Sequence, residues 1–157
     1  MNALRRAVHL ARRWRTSLDR SPLSAVDDDF VRRVLTAGEH DLWSHLTLAD
    51  RRHSIVVARR FVTLAPDADE AEIAAALLHD VGKTQAPLAT TERVFATILR
   101  PILRPRLLRP RRWDPYYRHE EIGLDLCRRL PSRPRTLALL AGEDDPLIDA
   151  LRRADDV

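Results

Sequence analysis

The 157-residue chain is expected to fold as an all-α, single-domain helical bundle. Three observations predict it. Apolar residues recur three and four positions apart in segment after segment, which is the period of a helix face. The alternation of a half-buried strand persists nowhere, and no internal repeat is visible. The chain is also long enough to bury one core unaided, and its 45% hydrophobic and 32% charged residues suit a globular protein rather than a disordered one. The domain is expected over residues 21–157, with a basic helix or arm over 1–20.

Residues 3–18 read as a basic amphipathic helix, with Leu4, Val8, Ala11 and Leu18 on one side. It either docks on the domain, frays, or lies on a membrane surface. Ser21-Pro22 breaks the pattern. A helix is expected over 27–37, capped by Asp27 or Asp28, with Phe30, Val31, Val34 and Leu35 as its apolar face and Gly38 at its end. A short helix over 39–46 carries Leu42, Trp43 and Leu46. Thr47 and Asp50 resemble a capping box that opens a helix over 48–64, closed by Pro66. Asp67 to Glu72 place acids at the next helix start, where they complement the dipole. Residues 73–78 are apolar nearly all round, as in a buried helix, and Gly82 is expected at its terminus. A helix over 90–103 gives way to an Arg/Pro/Leu stretch through Trp113, in which Pro101, Pro105 and Pro110 favour a loop or broken helix. Residues 116–130 form a helix stopped by Pro131. Ser132 caps another that reaches Leu140, with Gly142 beyond, and Asp145-Pro146 opens a last helix over 147–155.

Of 27 basic residues only Lys83 is lysine, which leaves 26 arginines. They are spread along the chain, so the net charge of +4 reads as a solvated surface. Arg100, Arg104, Arg106, Arg109, Arg111 and Arg112 alternate with leucine and proline. This 100–112 segment is open between a solvated loop, an anion-binding lid, and a contact with lipid or nucleic acid. Aromatic residues stand only at its end, so no specific nucleic-acid partner is expected. The lone Cys127 excludes an internal disulfide and reads as packing. No apolar run follows the N-terminal arginines as in a secretory signal, and none approaches the roughly 20 residues that span a bilayer. A cytoplasmic protein is expected.

The chemistry concentrates in Ala76-Leu77-Leu78-His79-Asp80-Val81-Gly82-Lys83-Thr84. A buried helix ends there in two metal-ligand side chains that packing does not require. His53 lies 26 residues earlier, one turn into its own helix. A helix, a turn and an antiparallel return would bring it beside the end of the next. Imidazole and carboxylate suit Mn, Fe, Co, Ni or Zn, and a catalytic site keeps open positions beside its protein ligands. Gly82-Lys83-Thr84 does not end a P-loop, because that motif's first glycine would fall at Leu77 and no strand precedes it. Lys83 is a candidate point charge for a phosphate. His9, His40 and His45 have no motif context and read as structural.

Arg52-His53-Ser54, the run Ala75 to Lys83, and the late Ala154-Asp155 together resemble the HD-domain metal-dependent phosphohydrolases and their H…HD…D motif. The resemblance covers about residues 48–156. It implies an all-helical HD-type bundle with His53, His79, Asp80 and Asp155 as ligands to a divalent ion, of which Mg is a further possibility. Asp80 would also bridge two ions or orient the water. The implied substrate is a small phosphate ester, a nucleotide in the first instance, and the alternative is a nucleotide-binding or regulatory module with little turnover. His119-Glu120-Glu121-Ile122-Gly123 resembles a segment whose histidine approaches the metal or the phosphate, so Asp80, Lys83 and His119 are the catalytic candidates. Relatives with two ions carry further histidines, whereas Leu140 to Pro146 hold acids and none; one ion per site is expected. The choice between Asp155 and Asp156 as last ligand stays open.

Overall fold

The computed structural model describes residues 21–85, 118–143 and 145–156. The expected helices over 3–18 and 90–103, the 100–112 segment and His9 lie outside the described residues. Within them stand seven α-helices, a 3₁₀ turn and no strand, as the all-α expectation requires. The helices are α1 (Ala25–Val34), α2 (Ala37–Ser44), α3 (Leu48–Leu64), α4 (Glu70–Leu78), α5 (His119–Arg128), α6 (Pro134–Ala141) and α7 (Pro146–Asp155), with the 3₁₀ turn Val81–Gln85 after α4. No described helix is long and apolar enough to cross a membrane.

Local hydrogen bonding sets most of the helix starts and corrects several expectations. Ser24, not Asp27 or Asp28, caps α1, its hydroxyl accepting from the Asp27 N–H at 3.1 Å. The helix stops at Val34 because Leu35 turns extended and Thr36 already caps α2. Thr36 and Glu39 form a reciprocal box there, at 2.9 and 3.3 Å, so Gly38 lies inside α2 rather than at the end of α1. Thr47 caps α3, but the box is half made: the Asp50 carboxylate accepts the Thr47 hydroxyl proton at 2.7 Å. Asp69 and Glu72 complete a box at the start of α4, each satisfying a backbone donor that the helix itself cannot. Helix α5 begins at His119, three residues later than expected, and Arg133 rather than Ser132 stands at the cap of α6. Gly142 ends α6 at φ 69°, the left-handed conformation that favours glycine. Asp145 caps α7 with Pro146 in its first turn.

The core gathers around α3 and α4. Val57, Ala58 and Phe61 of α3 and Ala74 to Leu78 of α4 are all inaccessible to solvent, and Val31, Trp43, Val81, Cys127 and Ala154 close around them. Burying Leu77 and Leu78 contributes roughly 1.5–3 kcal/mol each. Helix α3 packs against α4 and α7, α4 also against α1 and α6, and α5 against the 3₁₀ turn and α6. This packing carries one end of α3, α4, α5 and α7 to a common place.

Candidate metal centre

His53 stands in the second turn of α3, His79 is the residue that ends α4, and Asp155 is the last residue of α7. Their polar atoms meet. His53 Nε2 lies 2.9 Å from Asp155 Oδ1, and His79 Nε2 lies 3.3 Å from the same oxygen and 3.4 Å from Asp80 Oδ2. The two imidazoles are edge to face, with centroids 5.6 Å apart. Asp155, not the cap residue Asp156, is the aspartate whose carboxylate reaches both histidines.

Hydrogen bonding defines the state of His79. Its Nδ1 faces the Ala76 carbonyl at 2.8 Å, and since a carbonyl only accepts, Nδ1 carries the proton. The buried Nε2 has no hydrogen-bond partner, although two carboxylates lie beside it. Nε2 and two carboxylate oxygens converge there. Burial opposes a charge on His79, but Asp80 and Asp155 outweigh it and push its pKa up to about 10. That field favours any cation at this point, proton or metal.

The residues fit a divalent ion. His53, His79 and Asp80 offer ligand atoms all within 4.8 Å of one another, and imidazole with carboxylate is a donor set for first-row divalent metals. Ligands about 2.1 Å from one ion stand roughly 3.0 Å apart in an octahedron and 3.4 Å in a tetrahedron. Three of the spacings, 2.9, 3.3 and 3.4 Å, lie near that range, and those among His53, His79 and Asp80 stay within 4.8 Å. The Asp80 side chain is almost wholly buried, whereas that of Asp155 is 47% exposed.

Two further groups hold Asp80. Lys83 is neither a surface lysine nor an outward-pointing charge: its ammonium is buried and donates to Asp80 Oδ2. His119 Nε2 lies 3.2 Å from the other oxygen, Oδ1. Burial alone would raise the Asp80 pKa, but His79, Lys83 and His119 hold it well below the usual carboxylate range. For Asp155 burial is likewise outweighed by His53 and His79, and its carboxyl is also held low. His40 packs near the Trp43 ring, and His45 Nδ1 bonds the Asp41 carbonyl, both as structural residues would.

Two features were not foreseen. Arg60 donates to the Arg153 carbonyl at 3.3 Å, tying the end of α7 to α3 beside Asp155. Gly82 is not a left-handed helix terminus; among the described residues only Gly142 has positive φ. Gly82 sits instead where α5 presses on the 3₁₀ turn, and a Cβ there would fall 1.8 Å from the His119 carbonyl oxygen. The pairing of Gly82 with a glycine four residues after His119 was the available signal. The shallow hollow lined by Gly142, Asp145, Ile148 and Arg152 opens at the other end of α7 and takes no part in this centre.

A family model described as HD domain matches residues 51–153. The match takes in His53, His79, Asp80, Lys83 and His119 and stops two residues short of Asp155. No curated protein and no solved structure matches the chain.

Proposed function

The chain belongs to the HD domain family, and from that premise we propose that it is a metal-dependent phosphohydrolase acting on a small phosphate ester, a nucleotide being the leading class. One observation carries the reading: the buried His79 Nε2, which makes no hydrogen bond, faces both Asp80 and Asp155, with His53 completing the ring. His53, His79, Asp80 and Asp155 would hold the ion. When bound, a divalent ion supplies Lewis acidity, lowering the pKa of water and polarising a phosphoryl oxygen.

The chain's own groups do the rest. Lys83 and His119 each take one oxygen of Asp80, which fixes the carboxylate's rotation and keeps it ionised. Lys83 therefore acts through Asp80 before it acts on a phosphate. His119 lies at the edge of the cluster, where its imidazole would give a proton to the leaving oxygen of the ester while Asp80 stays ionised. One ion per site remains the reading. Elemental analysis followed by a screen of Mn, Fe, Co, Ni, Mg and Zn against phosphomonoesters and phosphodiesters tests it. His79→Ala should lose both the ion and turnover; full turnover without the imidazole would sink the assignment.

The half-exposed Asp155 in the last turn of α7 favours a second reading, a nucleotide-binding or regulatory module. Tight nucleotide binding with no hydrolysis under any of these metals would select it.

A further inference from the structure

The contact between the 3₁₀ turn and α5 is made backbone to backbone. A Cβ on Gly82 would lie 1.8 Å from the His119 carbonyl oxygen and 2.7 Å from the Gly123 nitrogen. From the other side, a Cβ on Gly123 would lie 3.1 Å from the Gly82 nitrogen and 3.4 Å from Val81 Cγ2. Gly82 thus meets the first residue of α5, the one whose imidazole reaches Asp80 Oδ1 at 3.2 Å.

We infer that Gly82 is a positioning residue: its bare Cα lets α5 seat against the turn, and that seating sets the His119 imidazole on Asp80. The inference rests on the phosphohydrolase reading for its catalytic consequence, but its geometry stands apart from it. A methyl group at Gly82 meets main-chain atoms, which have no rotamer to escape into. A close C···O contact is about 3.3 Å, so α5 would have to back away by roughly 1.5 Å. That displacement ends a 3.2 Å contact. His53 and Asp155 are carried by α3 and α7, and His79 ends α4, so none of them rides on α5. Asp80 is held independently by Lys83 from within the turn.

The glycines form a graded series within one chain. At Gly82 the clash is with main chain and severe. At Gly123 it amounts to a few tenths of an ångström. At Gly38 the nearest atom, Pro131 Cδ, is 3.4 Å away, an ordinary contact. The experiment is imidazole NMR on the full-length, metal-free protein, with the His119 signal identified by its loss in His119→Gln. Asp80→Asn gives the shift that marks loss of the Asp80 contact. Gly82→Ala should move His119 towards that position, Gly123→Ala part of the way, and Gly38→Ala not at all. Manganese affinity should be unchanged in Gly82→Ala. Turnover of bis(p-nitrophenyl) phosphate or p-nitrophenyl phosphate should fall on the order of 100-fold, with no further loss on adding His119→Gln.

A wild-type His119 shift in Gly82→Ala overturns the inference. So does a parallel loss of manganese binding, because Gly82 would then be holding Asp80 rather than His119. Should Gly82→Ala fail to fold, an unmoved His119 signal in Gly123→Ala overturns it equally. A wild-type protein that binds no manganese or turns over neither ester defeats the parent reading, while the imidazole shifts still decide the role of Gly82.

Discussion

Helices α4 and α7 carry charged clusters at both ends, and the two ends are built differently. At their N-terminal ends all four carboxylate oxygens of Glu72 and Asp145 are answered. Arg135 of α6 donates to Glu72 Oε1 at 2.8 Å and to Asp145 Oδ2 at 2.5 Å, while Glu72 Oε2 and Asp145 Oδ1 take the backbone N–H groups of Asp69 and Leu147. At their C-terminal ends the histidine nitrogen and the carboxylates of Asp80 and Asp155 face one another, and the helix carbonyl ends add partial negative charge. Among the described residues Lys83 is the one lysine or arginine paired with either carboxylate, and His79 Nε2 makes no hydrogen bond. The first end is complete and works as a clasp. The second gathers two carboxylates around a ring nitrogen that makes no hydrogen bond, and a buried unsatisfied atom of this kind calls for an explanation, which a ligand role supplies.

The largest break in that contrast comes from removing Asp80. Its side chain and that of Lys83 are both nearly inaccessible, so Asp80→Ala leaves a buried ammonium without its counter-charge. Breaking a buried pair costs about 3–5 kcal/mol, and the variant should also lose metal binding. Lys83→Ala added to Asp80→Ala should recover much of the stability and none of the metal. Urea denaturation of the two variants separates these outcomes. A single variant as stable as wild type would mean that Lys83 draws nothing from Asp80.

The next test sharpens the contrast by adding a divalent cation. Manganese at about 100 times its Kd should stabilise the chelator-stripped protein by about 2.7 kcal/mol. Asp155→Ala should lose most of that gain. Arg135→Ala should keep it from a lower baseline, because it opens the other end of the same helices. Melting curves with and without the ion read this directly. An equal ion-induced shift in wild type and Asp155→Ala would remove Asp155 from the centre.

How much was legible in the sequence follows from the range of the interactions involved. The starts of α3 and α7 were readable because Thr47 and Asp145 act on backbone groups within three residues. The His79-Asp80 doublet was readable because a buried helix has no packing use for it. Ser24 competes with two adjacent aspartates that cap equally well in isolation, and Gly38 does not stop α1 because Thr36 and Glu39 open α2 ahead of it. Lys83 could not be seen to be buried, since burial is set by tertiary packing and the α5 that presses on its turn begins 36 residues later. The role of Gly82 depends on His119, 37 residues away, and no local rule reaches that far. Asp155 became distinguishable from Asp156 only once α7 was laid against α3.

The smallest effect is expected at the complete end, and its pH dependence tests whether that end is a clasp. Arg135 holds the Asp145 carboxyl below the usual carboxylate range, with help from the Leu147 N–H. A carboxyl whose folded pKa is depressed contributes stability above its unfolded value, near 3.9, and loses it as the pH falls through the lower folded value. Arg135→Ala should therefore lower the melting temperature at about pH 7, and the difference from wild type should shrink as the pH drops below about 4. Because Arg135 is partly exposed, salt at about 1 M should shrink it as well. The metal end predicts the reverse pairing: Arg135→Ala leaves ion affinity alone at every pH. If the variant instead lost manganese binding along with stability, the two ends of α4 and α7 would be one coupled unit, and the division between clasp and centre would fail.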